Sequence, residues 1–122
     1  MNSRSDYPYV GYEATCKSAN YAKMFYLKGY RDVYNSLESF KAALREGPTS
    51  VAFAASDSFL YYGSGIYDGD CAGDVNHGMT AIGYGSENGV PYVIVRNSWG
   101  TSWGENGYVR IILDNSSVGG KC

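Results

Sequence analysis

Charge is scarce in this 122-residue chain: Asp, Glu, Lys and Arg make up 18% of it, and 10 basic against 12 acidic residues leave a formal net charge of −2. With no basic stripe, the sequence lacks the electrostatic footprint of a nucleic-acid binder. Long apolar runs are missing too. None approaches the roughly 20 residues that span a bilayer, so no membrane partner is expected. The N-terminal MNSRSDYPYVGYE has no apolar core of the kind a secretory leader needs, so no leader is expected in it. Metal-binding patterns are equally thin. There is one histidine, His77, and no C-x-x-C, so neither a metal nor another cofactor is expected. The three cysteines, Cys16, Cys71 and Cys122, form an odd set. In a secreted protein that implies a free thiol or a partner outside the chain; in a cytosolic one all three could be buried and reduced.

What the chain has in quantity is apolar and aromatic. Hydrophobic residues are 44%, with 13 Tyr and 16 Gly, which excludes a disordered chain and points to a β-rich globular domain with many turns. The length suits one domain at most. Residues 1–20 read as irregular around Pro8 and Gly11, and KGYRDVY (28–34) as a short strand. Asn35 is a good helix N-cap, with Glu38 three residues on. Leu37, Phe40, Ala43 and Leu44 then recur at helical spacing until Gly47-Pro48, which predicts a helix over 36–46. From Thr49 to Ala55 the period becomes two, as in a packed strand. A glycine-rich connection fills 56–76. GMTAIGYG (78–85) and VPYVIVRNSW (90–99) flank Ser86-Glu87-Asn88-Gly89, and Asn-Gly is the strongest short hairpin signal. YVRIILD (108–114) follows as a third strand. The layout is α+β: an antiparallel meander with one helix ahead of it.

The lone histidine is the first place to look for chemistry. His77 starts one strand of the hairpin and Asn97 ends the other, and neighbouring strands lie about 5 Å apart. Side chains at the same open end can therefore touch. A histidine whose ring nitrogen is held by a carboxamide is an oriented general base. Trp99 and Trp103 follow closely enough to screen that bond from water, which strengthens it.

At these residues the chain resembles a known family. VNHGMTAIGYG (75–85) and NSWGTSWGENGYVRI (97–111) are similar to the two C-terminal motifs of papain-like cysteine peptidases. YPYVGYEATC (7–16), GPTSVAF (47–53) and YYGSGIYDGDC (61–71) match in order and spacing. The resemblance implies the barrel-like, antiparallel right-hand domain of that fold, with residues 1–20 as an inter-domain segment from the left-hand side and 21–122 as the domain. It implies His77 as the catalytic histidine, Asn97 as the residue orienting it, Trp99 as the indole over their bond, and Trp103 as part of the primed-side surface. Ala52, Val75 and Gly78 would line the pocket for the second substrate residue before the scissile bond. Cys71 and Cys122 correspond to the right-hand disulfide, and Cys16 to a half-cystine whose partner lies in the left-hand domain. A lysosomal, vacuolar or extracellular setting follows from the same resemblance.

Two departures matter. Asn76 stands where many members carry Asp, which is expected to alter the pH profile without abolishing catalysis. The C-G-[SA]-C-[WY] nucleophile segment, which should lie ~130–150 residues before the His and Asn, is not in these residues. Cys16 sits in ATCKSAN, only 61 residues before His77, with no aromatic after it. The reading is therefore the C-terminal half of a cysteine endopeptidase, inactive alone, which needs a left-hand domain or chain with the Cys and acts on peptide or protein substrates. A non-catalytic homologue serving as a binding or structural module is the alternative. A generic β-rich carbohydrate or peptide binder is a more distant one.

Overall fold

The computed structural model describes residues 2–34, 36–113 and 122. The chain divides into two compact units, Met1–Asp32 and Val33–Cys122. The first is irregular, with a single short 3-10 turn at Ser18–Asn20. It is held by the Asn2 carboxamide, whose Nδ2 donates to the carbonyls of Ser18, Tyr21 and Ala22, and by a Tyr7–Tyr21 ring stack at 5.3 Å.

The second unit begins with helix α1, Leu37–Glu46. Ser36 caps it, its Oγ accepting from Ser39 N–H at 3.1 Å; Asn35, the cap expected from sequence, lies outside the described residues. Phe40 and Leu44 are buried on the predicted apolar face, and Gly47 N–H closes the last turn on Ala43 O. Strand β1 spans Thr49–Phe53. It stops two residues short of Ala55 because Ala54 leaves the ladder: its N–H donates to Cys122 O and its carbonyl accepts from Ala72 N–H. The connection that follows is more structured than its glycines suggest, with a short helix α2, Asp57–Leu60, and a two-residue strand β2, Ile66–Tyr67.

Strand β3 (His77–Glu87) is longer than the sequence pattern marks, whereas β4 (Val90–Arg96) ends short of the expected Trp99. Only Asn88 and Gly89 remain between them, at φ 51° and 82°. Positive φ at both central residues is the geometry that matches strand twist in a two-residue hairpin, and Asn-Gly supplies it at least cost. Strand β5 is Tyr108–Ile112; Asp114, its expected end, lies outside the described residues. KGYRDVY forms no strand. It crosses the boundary between the two units, and no ladder partner meets it among the described residues.

The sheet order is β1-β3-β4-β5-β2. Four strands pair antiparallel, as the meander requires, but β2 adds a parallel pair on β5 (Ile66↔Arg110, Tyr67↔Ile111). The sheet is therefore mixed, and β1 and β2 stand at its two ends without closing it. The long excursion from β1 to the far side of the sheet is what lets β2 arrive parallel. The core gathers Phe40 and Leu44 with Phe53, Phe59, Met79, Val93, Val95, Val109 and Ile111.

Cys71 and Cys122 form a disulfide across a sequence separation of 51. A bridge closing a loop of that length is worth about 4 kcal/mol through the unfolded chain. Urea denaturation with and without reductant should therefore show a loss of this order. Replacing both cysteines by serine should make the midpoint insensitive to reductant.

Candidate active site

His77 and Asn97 meet at the open end of the β3–β4 hairpin. His77 Nε2 lies 2.9 Å from Asn97 Oδ1. The same oxygen accepts from the Ser98 backbone N–H at 2.8 Å. An N–H can only donate, so this second bond fixes which end of the carboxamide faces the ring. Oδ1 is the acceptor and Nε2 the donor, which leaves Nδ1 outside the pair on the opposite edge of the imidazole. Asn97 is only 7% exposed, the one buried polar side chain among the described residues. Its Nδ2 has no hydrogen-bond partner among them.

The imidazole is covered by Trp99, whose ring stacks on it at 4.9 Å with 30° between the planes. Trp99 in turn rests against Phe59 (5.7 Å) and Trp103 (5.2 Å). Phe59, from α2, is fully buried and touches both tryptophans. Trp103 is half-buried, and its indole N–H donates to Leu60 O at 3.1 Å. Packing contact and a satisfied donor make it a buttress for Trp99, whatever its outer edge offers to a substrate.

Beside His77 the β1–β3 ladder puts Ala52 directly opposite Gly78, one rung from Phe53 and His77. Ala52, Gly78 and the nearby Val75 are all exposed, and a Cβ placed at Gly78 would meet nothing within 4 Å. Asn76 has a role that residue type alone does not reveal. Its Oδ1 accepts from Ala55 N–H (2.9 Å) and its Nδ2 donates to Ala55 O (3.0 Å). Its own N–H donates to Phe53 O. The carboxamide thus imitates one more rung of the ladder immediately before His77, which a carboxylate, lacking the donor, does not complete. Cys16 is exposed and free, in the other unit. Hydrogen bonds from the Ser18 hydroxyl and backbone hold its thiol below the ordinary range.

The segment carrying Asn97, Trp99 and Trp103 is anchored by residues that sequence reasoning passed over. Arg110 grips Glu105 bidentately, Nε to Oε2 at 2.9 Å and Nη2 to Oε1 at 2.8 Å. Glu105 Oε1 also accepts from Gly65 N–H at 2.9 Å. Opposite charges five residues apart across Gly107 were the available signal. These bonds hold the Glu105 carboxyl below its ordinary 4.5, the Arg110 side chain first among the causes, with burial opposing. Burial raises the neighbouring Tyr62 phenol, with the Glu105 charge adding to it. No cluster of three or more His, Cys, Asp or Glu among the described residues is placed to hold a metal ion.

The whole chain, residues 1–122, matches the family model described as papain family cysteine protease. It is 46% identical over its full length to cysteine proteinase RD21A of Arabidopsis thaliana, covering 27% of that protein. It is 40% identical to fruit bromelain of Ananas comosus, covering 35%. Among solved structures, bromelain from Ananas comosus in complex with the E64 inhibitor superposes with a TM-score of 0.86 at 42% identity, over 99% of this chain and 57% of that one. The chain belongs to the papain family of cysteine proteases, and its fold is that of the papain-like right-hand domain. It spans about a quarter to a third of the length of these two curated relatives.

A depressed carboxyl stabilises the folded state in full above its unfolded value, and that contribution is lost as pH falls through the folded one. The Glu105–Arg110 contribution is thus complete above pH 4.5 and fades below it. Denaturation midpoints measured from pH 6 down to pH 3 should fall for the parent protein. Glu105→Gln should be less stable at pH 6 and show a shallower acid decline.

Proposed function

We propose that this chain is the C-terminal half of a papain-like cysteine endopeptidase, supplying the base and its orienting residue for thiol-dependent hydrolysis of peptide bonds. The observation that carries this reading is the His77–Asn97 bond under Trp99, with Nδ1 left free. In the proposed mechanism a cysteine from the left-hand half approaches Nδ1 and passes its proton to it, giving a thiolate–imidazolium pair. Asn97 holds the ring in plane and keeps the Nε2 proton engaged while Nδ1 gains and gives up its own. The thiolate attacks the scissile carbonyl, and donors of the left-hand half stabilise the oxyanion. His77 then protonates the leaving amine, and water attacks the thioester with His77 as base.

In this reading residues 1–20 are an inter-domain segment and 21–122 the right-hand domain. Cys16 is bridged to the left-hand half when that half is present. Ala52, Val75 and Gly78, all small and apolar, line a pocket for the second residue before the scissile bond that suits a bulky hydrophobic side chain. Trp99 covers the His77–Asn97 bond, and Trp103 borders the primed side. The disulfide supports an oxidising setting, lysosomal, vacuolar or extracellular. No helix among the described residues is long and apolar enough to cross a membrane.

Isolated and free of contaminating protease, the 122-residue chain should not hydrolyse a fluorogenic peptide. Addition of a left-hand half bearing the cysteine should restore turnover. In that assembly His77→Ala should abolish activity. Asn97→Ala should lower kcat/KM roughly 10- to 100-fold, the scale of one hydrogen bond to a charged group. Hydrolysis by the chain alone, or full activity with His77→Ala, would overturn the assignment. Failure to label a cysteine of the assembly with a thiol-reactive active-site probe would favour a non-catalytic homologue.

Specificity gives an independent check. Burying a Leu or Phe in the pocket is worth about 1.5–3 kcal/mol. Gly78→Leu fills open space and should lower kcat/KM about 10- to 100-fold for substrates with Phe at that position. Substrates with Ala there should be much less affected. A peptide library that preferred Arg or Glu at this subsite in the parent assembly would contradict the pocket.

A further inference from the structure

The proposed chemistry uses Asn97, Trp99 and Trp103 but leaves the second half of their motif, Gly104-Glu105-Asn106-Gly107-Tyr108 with Arg110, without a function. This half has an unusual backbone. Gly104, Asn106 and Gly107 all have positive φ, at 56°, 54° and 90°. A Cβ at Gly104 would lie 2.6 Å from Tyr108 O, and one at Gly107 would lie 3.1 Å from Gly100 O. Such a turn persists only where its surroundings over-determine it.

Two sets of bonds do so. Within the turn, Glu105 and Tyr108 exchange backbone bonds at 2.9 and 3.1 Å, and Gly107 N–H donates to Trp103 O at 2.8 Å. Outside it, the Glu105 carboxylate takes the Arg110 fork from β5 and the Gly65 N–H from the connection before β2. The remaining Arg110 nitrogen, Nη1, takes no part in that fork and pairs with Glu87 at the end of β3, at 3.1 Å. The carbonyl of Gly107, two residues from Glu105, accepts the backbone N–H of Asn97 at 2.9 Å. The path from the carboxylate to the carboxamide that holds His77 is one turn of chain and one hydrogen bond.

We propose that Glu105 is a positioning residue for the His77–Asn97 pair. Its double attachment to β5 and to Gly65 fixes the turn whose Gly107 carbonyl sets the place of Asn97, and so the aim of Oδ1 at His77 Nε2. Glu105 touches no reacting atom. A planar, charge-assisted fork suits the task because it fixes direction as well as distance.

The role of the pair rests on the half-enzyme reading, but the test reads the imidazole itself. Because His77 is the only histidine, a long-range ¹H–¹⁵N correlation spectrum of the labelled 122-residue chain reports its tautomer without ambiguity. The parent should show Nε2–H with slow exchange. Glu105→Gln should speed Nε2–H exchange about tenfold and mix the tautomers while the backbone amides of β3 and β4 keep their dispersion. Arg110→Lys, which keeps the charge and loses the fork, should act in the same direction at about threefold, and serves if Glu105→Gln fails to fold. Glu87→Gln removes an ion pair from Arg110 without touching the turn and should leave the imidazole signals as in the parent. Unchanged His77 signals in a folded Glu105→Gln or Arg110→Lys chain would overturn the proposal. So would an effect of Glu87→Gln as large as that of Glu105→Gln. An inactive reconstituted assembly with these expected signals would count against the half-enzyme reading and leave the positioning role standing.

Discussion

The site depends on one irregularity in β3. From the Asn88-Gly89 turn the hairpin runs in regular register as far as Gly83↔Ile94, then shifts by one residue, so that Ala81 faces Val95 and Thr80 faces Arg96. Ile82 is the extra residue, and it is exposed. Side chains alternate with a period of two, so a shift of one exchanges the faces of everything beyond it. With the bulge, Ala81 and Met79 join Val93 and Val95 in the core, and His77 follows them to its edge. Without it, those three would face the other way and His77 would leave Trp99. The bulge thus selects which face of the strand the imidazole occupies.

Around that choice the molecule arranges an apolar shelter and a polar frame. Phe59 supports Trp99 and Trp103, and Trp99 shields the bond between His77 and Asn97. Shielding matters because a hydrogen bond competes poorly with water when exposed and well when covered. The polar frame is backbone-directed. Ser98 N–H fixes the Asn97 amide, Asn76 pairs with Ala55, and Gly107 O holds Asn97 from behind. An imidazole gripped through Nε2 presents Nδ1 in a single direction, which is what the proposed half-enzyme would require of it.

Much of this was legible in the residues. Leu37, Phe40 and Leu44 marked α1, Asn88-Gly89 marked the hairpin, and the spacing of His77 and Asn97 placed both at its open end. These are local signals, written in periods of 3.6 and 2 and in turn chemistry that needs no distant partner. The Cys71–Cys122 pairing came from family resemblance, since three cysteines leave the pairing open on their own.

What only the tertiary structure decided depends on groups far apart in sequence or on the backbone itself. KGYRDVY has strand composition but meets no ladder, and Ile66–Tyr67, too short to mark, forms one on β5 because its excursion ends there. The bulge at Ile82 leaves no mark in an alternating pattern, because it is the demand of the core on both sides of the shift that places it. Asn76 and Glu105 read as solvated polar residues until Ala55, Gly65 and Arg110 are brought to them. The sequence by itself determined which side chains would meet at the open end of the hairpin and roughly where the chain would turn. Their orientation was decided by folding, because hydrogen-bond direction belongs to pairs of groups that no periodicity along the chain describes.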